Sequence, residues 1–342
     1  MDLALHMGYW GGGPIDVMPL VTEAERLGFG SVWSAEAYGS DAVTTVAWVA
    51  ARTERIDVGT AIMQIPARTP ASAAMTAMTL DHLSGGRFRL GLGMSGPQVV
   101  EGWHGVAYGK PLARTREYVE IVRAVLRRDK PVGFEGEYYQ LPATGPGSTG
   151  LGKPLKTIVH PLRPDLPIYL AAIGPRNVAL AAEIADGWIP TLYSPIRGRE
   201  VFEPSLREGF DRAGKTGDAF DIAAMCPVLV GDDVQACRDM LKPYVALYVG
   251  GMGARGRNFY NSLVSRYGFE REAAEIQDLY LEGKKGEAAA LVPDELVDET
   301  SLVGPAERIA DRLQAWKDSG VTTLMAGTMQ VEALCALAEA NA

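Results

Sequence analysis

Short apolar segments alternate with longer segments of helical period along almost the whole chain, an order that confines the fold to repeated βα units around a parallel sheet. Residues 3–7, 31–33, 56–62, 88–92, 168–172, 187–190, 223–230 and 321–326 read as eight strands. Residues 15–27, 42–52, 71–83, 113–128 and 177–185 read as helices between them. In the first helix Val17, Leu20, Val21, Ala24 and Leu27 repeat at the spacing of one apolar face, and Gly28 ends it. The arrangement predicts an α/β fold of the TIM (β/α)8 barrel type.

Two stretches break the alternation. Residues 131–165 open with a hairpin pattern over 132–141 and continue into the run PATGPGSTGLGKP, a loop long enough to suggest function or mobility. Residues 248–301 are rich in Gly and Glu and helical around 273–280. Residues 1–342 are therefore expected to form one barrel domain carrying two insertions.

The charge balance narrows the partners. With 33 Lys and Arg against 42 Asp and Glu, the formal charge is −9, which opposes general affinity for nucleic acid or an anionic membrane. No apolar run reaches the ~18–20 residues of a membrane span. The N-terminus has neither the basic start nor the apolar run of a signal peptide. Cys226, Cys237 and Cys335 form neither a disulfide framework nor a metal-ligand spacing, so a reducing cytoplasm is expected. No metal site is expected, and there is no nucleophile elbow, Walker sequence or dinucleotide-binding glycine fingerprint after the first strand. The partner expected is a small molecule.

In a βα barrel the chemistry lies in the loops that follow the strands. After strand four, Gly91-Leu92-Gly93-Met94-Ser95-Gly96-Pro97-Gln98 either exposes backbone N–H groups to a phosphate or is a tight turn needing positive φ. After strand five, Gly174-Pro175-Arg176-Asn177 opens a helix, where the free N–H groups and Arg176 suit a second contact to the same anion. Simple helix capping is the alternative. After strand three, Ala61-Ile62-Met63-Gln64 could wall a flat aromatic ring, with Gln64 available to a polar edge, although core packing accounts equally for Ile62 and Met63. After strand two, Glu36 is the better site candidate, since Asp41 is positioned to cap the next helix. His6 either points into the barrel mouth or is a satisfied core histidine. Tyr9 and Trp10 beyond strand one, and Trp103 and His104 beyond strand four, could wall a planar substrate.

Four segments in this order, EAYGSDA, GTAIMQIPARTP, LDHLSGGRFRLGLGMSGPQ and AAIGPRNVALAAEIADGW, resemble the bacterial luciferase-like superfamily. Within it the chain is similar to the actinobacterial F420-dependent oxidoreductases of the luciferase-like monooxygenase class. The resemblance spans essentially the whole chain. It implies a barrel with insertions, often a homodimer, with a non-prolyl cis peptide in the bulge after strand three, here near Ala61-Ile62. It also implies that the coenzyme phosphate meets Gly93, Met94 and Ser95 together with Gly174, Pro175, Arg176 and Asn177. Arg114 and Tyr118 could reach the phosphate or the oligoglutamate tail, surface exposure being the alternative.

The departures bear on chemistry. Several F420-dependent relatives carry Asp-His where this chain has Glu36-Ala37, and the sugar-phosphate enzyme has a glutamate where this chain has Met94-Ser95-Gly96. Sugar-phosphate oxidation is therefore not expected. The resemblance points to hydride transfer between the deazaflavin C5 of coenzyme F420 and a C=C, C=N or C=O bond, with Glu36, His6 and Tyr193 as candidate proton donors. A two-component FMN-dependent monooxygenase and a non-catalytic coenzyme-binding protein are the alternatives.

Overall fold

The computed structural model describes residues 1–342. Eight strands run parallel and close on themselves: β1 (Asp2–His6), β2 (Ser31–Ser34), β3 (Asp57–Thr60), β4 (Phe88–Gly93), β5 (Ile168–Ala171), β6 (Gly187–Ile189), β7 (Asp221–Val230) and β8 (Thr323–Gly327). Closure comes from β8 pairing with β1, Asp2 opposite Thr323 through His6 opposite Gly327. The fold is a TIM barrel, as the alternation predicts.

Inward and outward residues alternate along the strands. Ala4, Trp33, Tyr169, Ile189, Ala223 and Met325 fill the barrel as one cluster, and Trp33 meets Tyr169 edge to face at 5.1 Å between ring centres. The buried indole N–H of Trp33 donates to Ser31 Oγ at 2.8 Å, which removes the cost of burying it unpaired. Leu3, Leu5, Val32, Val58 and Leu90 point the other way and pack against the helices. Because Ala4 faces in, His6 two residues later also faces in, at the mouth.

The ring of helices comprises α1 (Met18–Arg26), α2 (Ala42–Ala50), α3 (Pro70–Leu83), α4 (Pro111–Arg127), α5 (Pro175–Ile184), α6 (Gly198–Ala213), α7 (Val234–Ala246), α8 (Ala306–Asp318) and α9 (Val331–Asn341). The last four lie outside the helices read from sequence. Pro204 and Pro243 sit inside α6 and α7 and obscure their pattern, whereas α8 carries a plain buried stripe of Ile309, Leu313 and Trp316. No helix is long and apolar enough to cross a membrane.

Strand three differs from its expected course. The pairing runs Val58 opposite Phe88 but Met63 opposite Leu92, so one extra residue is inserted between Thr60 and Met63. There the Thr60 side chain substitutes for the ladder: its Oγ1 donates to Gly91 O at 2.8 Å and accepts from Gly91 N at 3.0 Å.

Both excursions are present. The first holds a two-stranded antiparallel hairpin, Phe134–Glu135 with Gln140–Leu141. The second is far more helical than its Gly and Glu content suggests. It contains a π-helical turn at Leu247–Gly251 and helices Phe259–Arg266, Glu270–Leu281, Lys285–Ala290 and Asp294–Thr300. Glu270 and Glu275 stay exposed on the helix that buries Ala273 and Ile276, and Glu295 on the one that buries Leu296 and Val297, whereas Glu299 is buried and paired with Arg197.

Candidate active site

At the mouth the bulge after β3 forms a shelf. The Ala61–Ile62 peptide is cis, and Ala61 N donates to Ser34 O at 2.7 Å. Ile62 is left partly exposed beside Gly93, where a Cβ would lie 2.9 Å from Ile62 Cγ1 and 3.6 Å from Ala171 Cβ. A side chain at position 93 would collide with Ile62 and displace it from the shelf. Met63 is wholly buried beneath it.

Glu36 and Gln64 tie the shelf to the loop after β2. Arg68 Nη1 and Nη2 donate to the two Glu36 oxygens at 2.9 Å each, and Gln64 N donates to Glu36 Oε2 at 2.9 Å. Arg68 also pairs with Asp41, which caps α2 by accepting from Thr44 N at 2.7 Å. Burial opposes the Arg68 charge, but the Glu36 and Asp41 carboxylates offset it and hold its pKa above the usual value. Gln64 is used up as well: its Nε2 donates to Glu36 O and Ala37 O at 3.1 Å each, and its Oε1 accepts from His104 Nε2 at 2.7 Å. No free edge of Gln64 remains for a ring. Arg68 and His104 as partners were beyond sequence reasoning; the first charge after a long apolar segment, facing an acid one strand away, was the available clue.

His6 approaches Ala61 O through Nε2 at 3.4 Å. Burial, only partly offset by this hydrogen bond, pushes its pKa down to about 4, so the imidazole is neutral at pH 7. Tyr193 departs from its expected place. Its ring stacks on Phe202 and its hydroxyl donates to Ser319 O at 3.2 Å, so it belongs to the packing between barrel and helices and offers no proton to the mouth. The sequence placed it just past a strand end, but its side chain turns outward.

Around the glycine turns, Ser95 has a left-handed φ of 61° and Gly174 is the N-cap of α5, without a side-chain cap. Arg176 and Pro175 are exposed there, and Asn177 is half-buried. Arg114 and Tyr118 lie one turn apart on α4 and are buried, against the surface alternative. Neither Arg114 Nη1 nor the Tyr118 hydroxyl has a partner. The hairpin covers them: the Tyr138 ring lies under the Arg114 guanidinium at 4.7 Å, and Tyr139 meets Tyr118 at 5.8 Å. Glu117 fixes that hairpin by accepting from the N–H groups of Glu137, Tyr138 and Tyr139 at 2.8–3.1 Å. Two buried, unpartnered donors under a clamp are costly unless a ligand acceptor meets them.

Tyr9 and Trp10 are partly exposed beyond β1, and Trp10 N donates to Ser40 Oγ at 2.9 Å, which seats this loop against the one after β2. Trp103 stands two-thirds exposed at the end of the short helix Pro97–Gly102.

The family model for luciferase-like monooxygenases matches residues 7–323. The chain belongs to this family. It is 50% identical, over 98% of its length and 99% of the other's, to a Mycobacterium tuberculosis protein whose name assigns it provisionally to the coenzyme F420-dependent oxidoreductases. It is 30% identical to the 5,10-methylenetetrahydromethanopterin reductase of Archaeoglobus fulgidus, over 89% of this chain and 87% of that one. Among solved structures, the coenzyme F420-dependent tetrahydromethanopterin reductase of Methanopyrus kandleri shares the fold, with a TM-score of 0.81 at 24% identity over 99% of this chain and 97% of that one.

Proposed function

We propose that this member of the luciferase-like family transfers a hydride between coenzyme F420 and a small organic substrate at a C=C, C=N or C=O bond. The observation that carries the reading is the pairing, in one barrel, of a flat shelf at Ala61–Ile62 with buried, unpartnered donors on Arg114 and Tyr118. The 50% identity to the mycobacterial protein supports the same coenzyme. The residues fit such a molecule: Ile62 stands partly exposed on the bulge as an apolar support for a ring, and the orphaned donors suit an anionic tail. When bound, a deazaflavin supplies the hydride-bearing carbon and, unlike a flavin, does not activate oxygen.

The chain's own residues orient and shield. Glu36 acts as a positioning residue, because Arg68 and the Gln64 amide occupy its carboxylate and leave it no free oxygen to serve as an acid. Neutral His6 holds the Ala61 carbonyl and thereby the shelf. Met94, Ser95, Gly174, Pro175, Arg176 and Asn177 would contact phosphate, Tyr9, Trp10 and Trp103 the substrate side. Family resemblance supports a homodimer in the cytoplasm.

Coenzyme titration tests the reading. F420 should bind at least tenfold more tightly than FMN, and Arg114→Gln should weaken F420 binding roughly tenfold, as expected for losing a charged hydrogen bond. Tight FMN binding without F420 binding would make the protein an FMN-dependent monooxygenase component. F420 binding with no turnover of any enone, imine or quinone would make it a coenzyme-binding protein.

A further inference from the structure

The second insertion carries a group of aromatic side chains that coenzyme binding does not use. Tyr244 and Tyr248 lie one turn apart where α7 runs into the π-helical turn, with ring centres 4.7 Å apart, and Tyr260 meets Tyr248 edge to face at 4.7 Å. Tyr9, from the loop after β1, has its ring 3.7 Å from the position a Cβ would take on Gly39, in the loop after β2. Next to Tyr260, the Phe259 ring comes within 3.1 Å of the position a Cβ would take on Gly174, in the turn after β5. Through Phe259 this group reaches the mouth on the β5 side, while Tyr9 stands on the β1 and β2 side. Tyr267 anchors this segment to the loop after β6 through its hydroxyl, which donates to Leu192 O at 3.1 Å.

The wide turn that presents these rings is specified locally. Gly250 and Gly251 lie against Tyr280, where a Cβ would come within 2.5 Å of that side chain, so the π turn packs its glycine side onto the helix Glu270–Leu281. A π turn inserted into a helix is a common device at functional sites. Pinning comes from Asn258, whose Nδ2 donates to Tyr248 O and Val249 O at 2.9 Å each while its Oδ1 accepts from Tyr260 N at 2.9 Å.

We infer that Tyr244, Tyr248, Tyr260 and Tyr9 form the substrate wall, and that it takes a neutral, planar, conjugated molecule bearing a hydrogen-bond-accepting oxygen. Three features point to that class. The wall offers ring faces and edges, which favour flat unsaturated partners. A phenol both donates and accepts, so the hydroxyls carried by this group of rings can donate to such an oxygen. The nearby cations are largely neutralised, Lys242 by Asp239 and Asp294 and Arg255 by Asp278, with Arg257 left exposed to solvent. Desolvation also raises the pKa of each of the half-buried phenols Tyr244, Tyr248 and Tyr260, which keeps them neutral donors.

This inference deepens the proposed hydride transfer and rests on it for the role of the site, but its test needs no coenzyme. Equilibrium binding of benzylideneacetone, a neutral planar enone, and of cinnamate, its anionic counterpart of nearly the same skeleton, is measured on the full-length protein without F420. Benzylideneacetone should bind at least tenfold more tightly than cinnamate. Tyr248→Phe, which keeps the ring, should weaken the enone roughly threefold to tenfold, the worth of one hydrogen bond. Tyr260→Ala should weaken it further, and both variants should keep the wild-type circular dichroism spectrum and F420 affinity. Equal binding of the two probes, binding of neither, or unchanged enone binding in both variants would overturn the wall. Loss of F420 binding in the wild type with enone binding intact would instead overturn the coenzyme.

Discussion

The two sides of the mouth are built on opposite principles. On the side of β3 and β4 the backbone itself makes the surface: a one-residue bulge packed against Gly91 and Gly93, with the side chains of Thr60, Glu36, Gln64 and Arg68 all paired beneath it. On the side of the second insertion the surface is made of side chains: Tyr248 and Tyr260 on a helical excursion whose backbone is pinned through Asn258, with Tyr244 at the end of α7 beside them. The first side is the one proposed to hold the coenzyme, the second the one proposed to hold the substrate. Substitutions should separate the two: those at the shelf should cost stability, and those in the insertion should cost ligand recognition.

The largest effect is expected at Gly91. A Cβ there would sit 1.8 Å from Thr60 O, a backbone atom that cannot move without breaking the β3–β4 junction and the two Thr60 hydrogen bonds. Gly91→Ala should destabilise the protein by about 3–5 kcal/mol, combining overpacking with lost buried bonds. Denaturant unfolding checks this, and a loss below about 1 kcal/mol would show that the shelf tolerates slack and that the contrast between the sides is misdrawn.

His6 gives the next effect, and one whose sign is fixed by burial. Its pKa is depressed from 6.5 to about 4 in the folded chain, so between these values the unfolded chain binds more protons than the folded one. Stability from this group is present above pH 6.5, falls as pH drops through the window, and is fully lost below about 4. The loss amounts to at most about 3 kcal/mol. The difference in unfolding free energy between wild type and His6→Gln should therefore shrink by that order from pH 7 to pH 4. A parallel pH dependence in the two proteins would mean that His6 is not a buried neutral group under the shelf.

How far the sequence disclosed each side follows from what makes it. Strand and helix periods, and turns such as Gly174-Pro175, are local properties of the chain, so the barrel and the glycine loops were legible before any coordinates. The ion pair of Glu36 with Arg68 joins residues 32 apart in sequence across two strand ends, and only the closed barrel brings them together. That pairing changes Glu36 from a candidate acid into a positioning residue. Tyr193 was misplaced for a related reason: position after a strand says which end of the barrel a residue occupies, not which way its side chain turns. The proposed tyrosine wall was hidden more deeply, since Tyr248 and Tyr260 fall in a stretch whose Gly and Glu content disguises its helices, and Tyr244 lies in a helix whose pattern Pro243 obscures.

The smallest expected effect on overall stability, and the sharpest for the contrast, lies at Asn258. Its side chain is buried and makes four hydrogen bonds to backbone, to Tyr248 O, Val249 O, Tyr260 N and Asn261 N, which cap the helix Phe259–Arg266 and close the π turn onto it. Removing an N-cap of this kind costs ~1–2 kcal/mol, and the two carbonyls left behind sit at a turn that water can reach once it loosens. Because the segment packs on the barrel rather than forming it, Asn258→Ala should open the insertion locally before the barrel unfolds. Amide hydrogen exchange should accelerate across residues 247–266 and stay unchanged in β3 and β4, and enone binding should weaken while F420 affinity holds. If exchange instead rises throughout the barrel, the insertion is part of the cooperative core, and the division between a fixed coenzyme side and an adaptable substrate side does not exist in this chain.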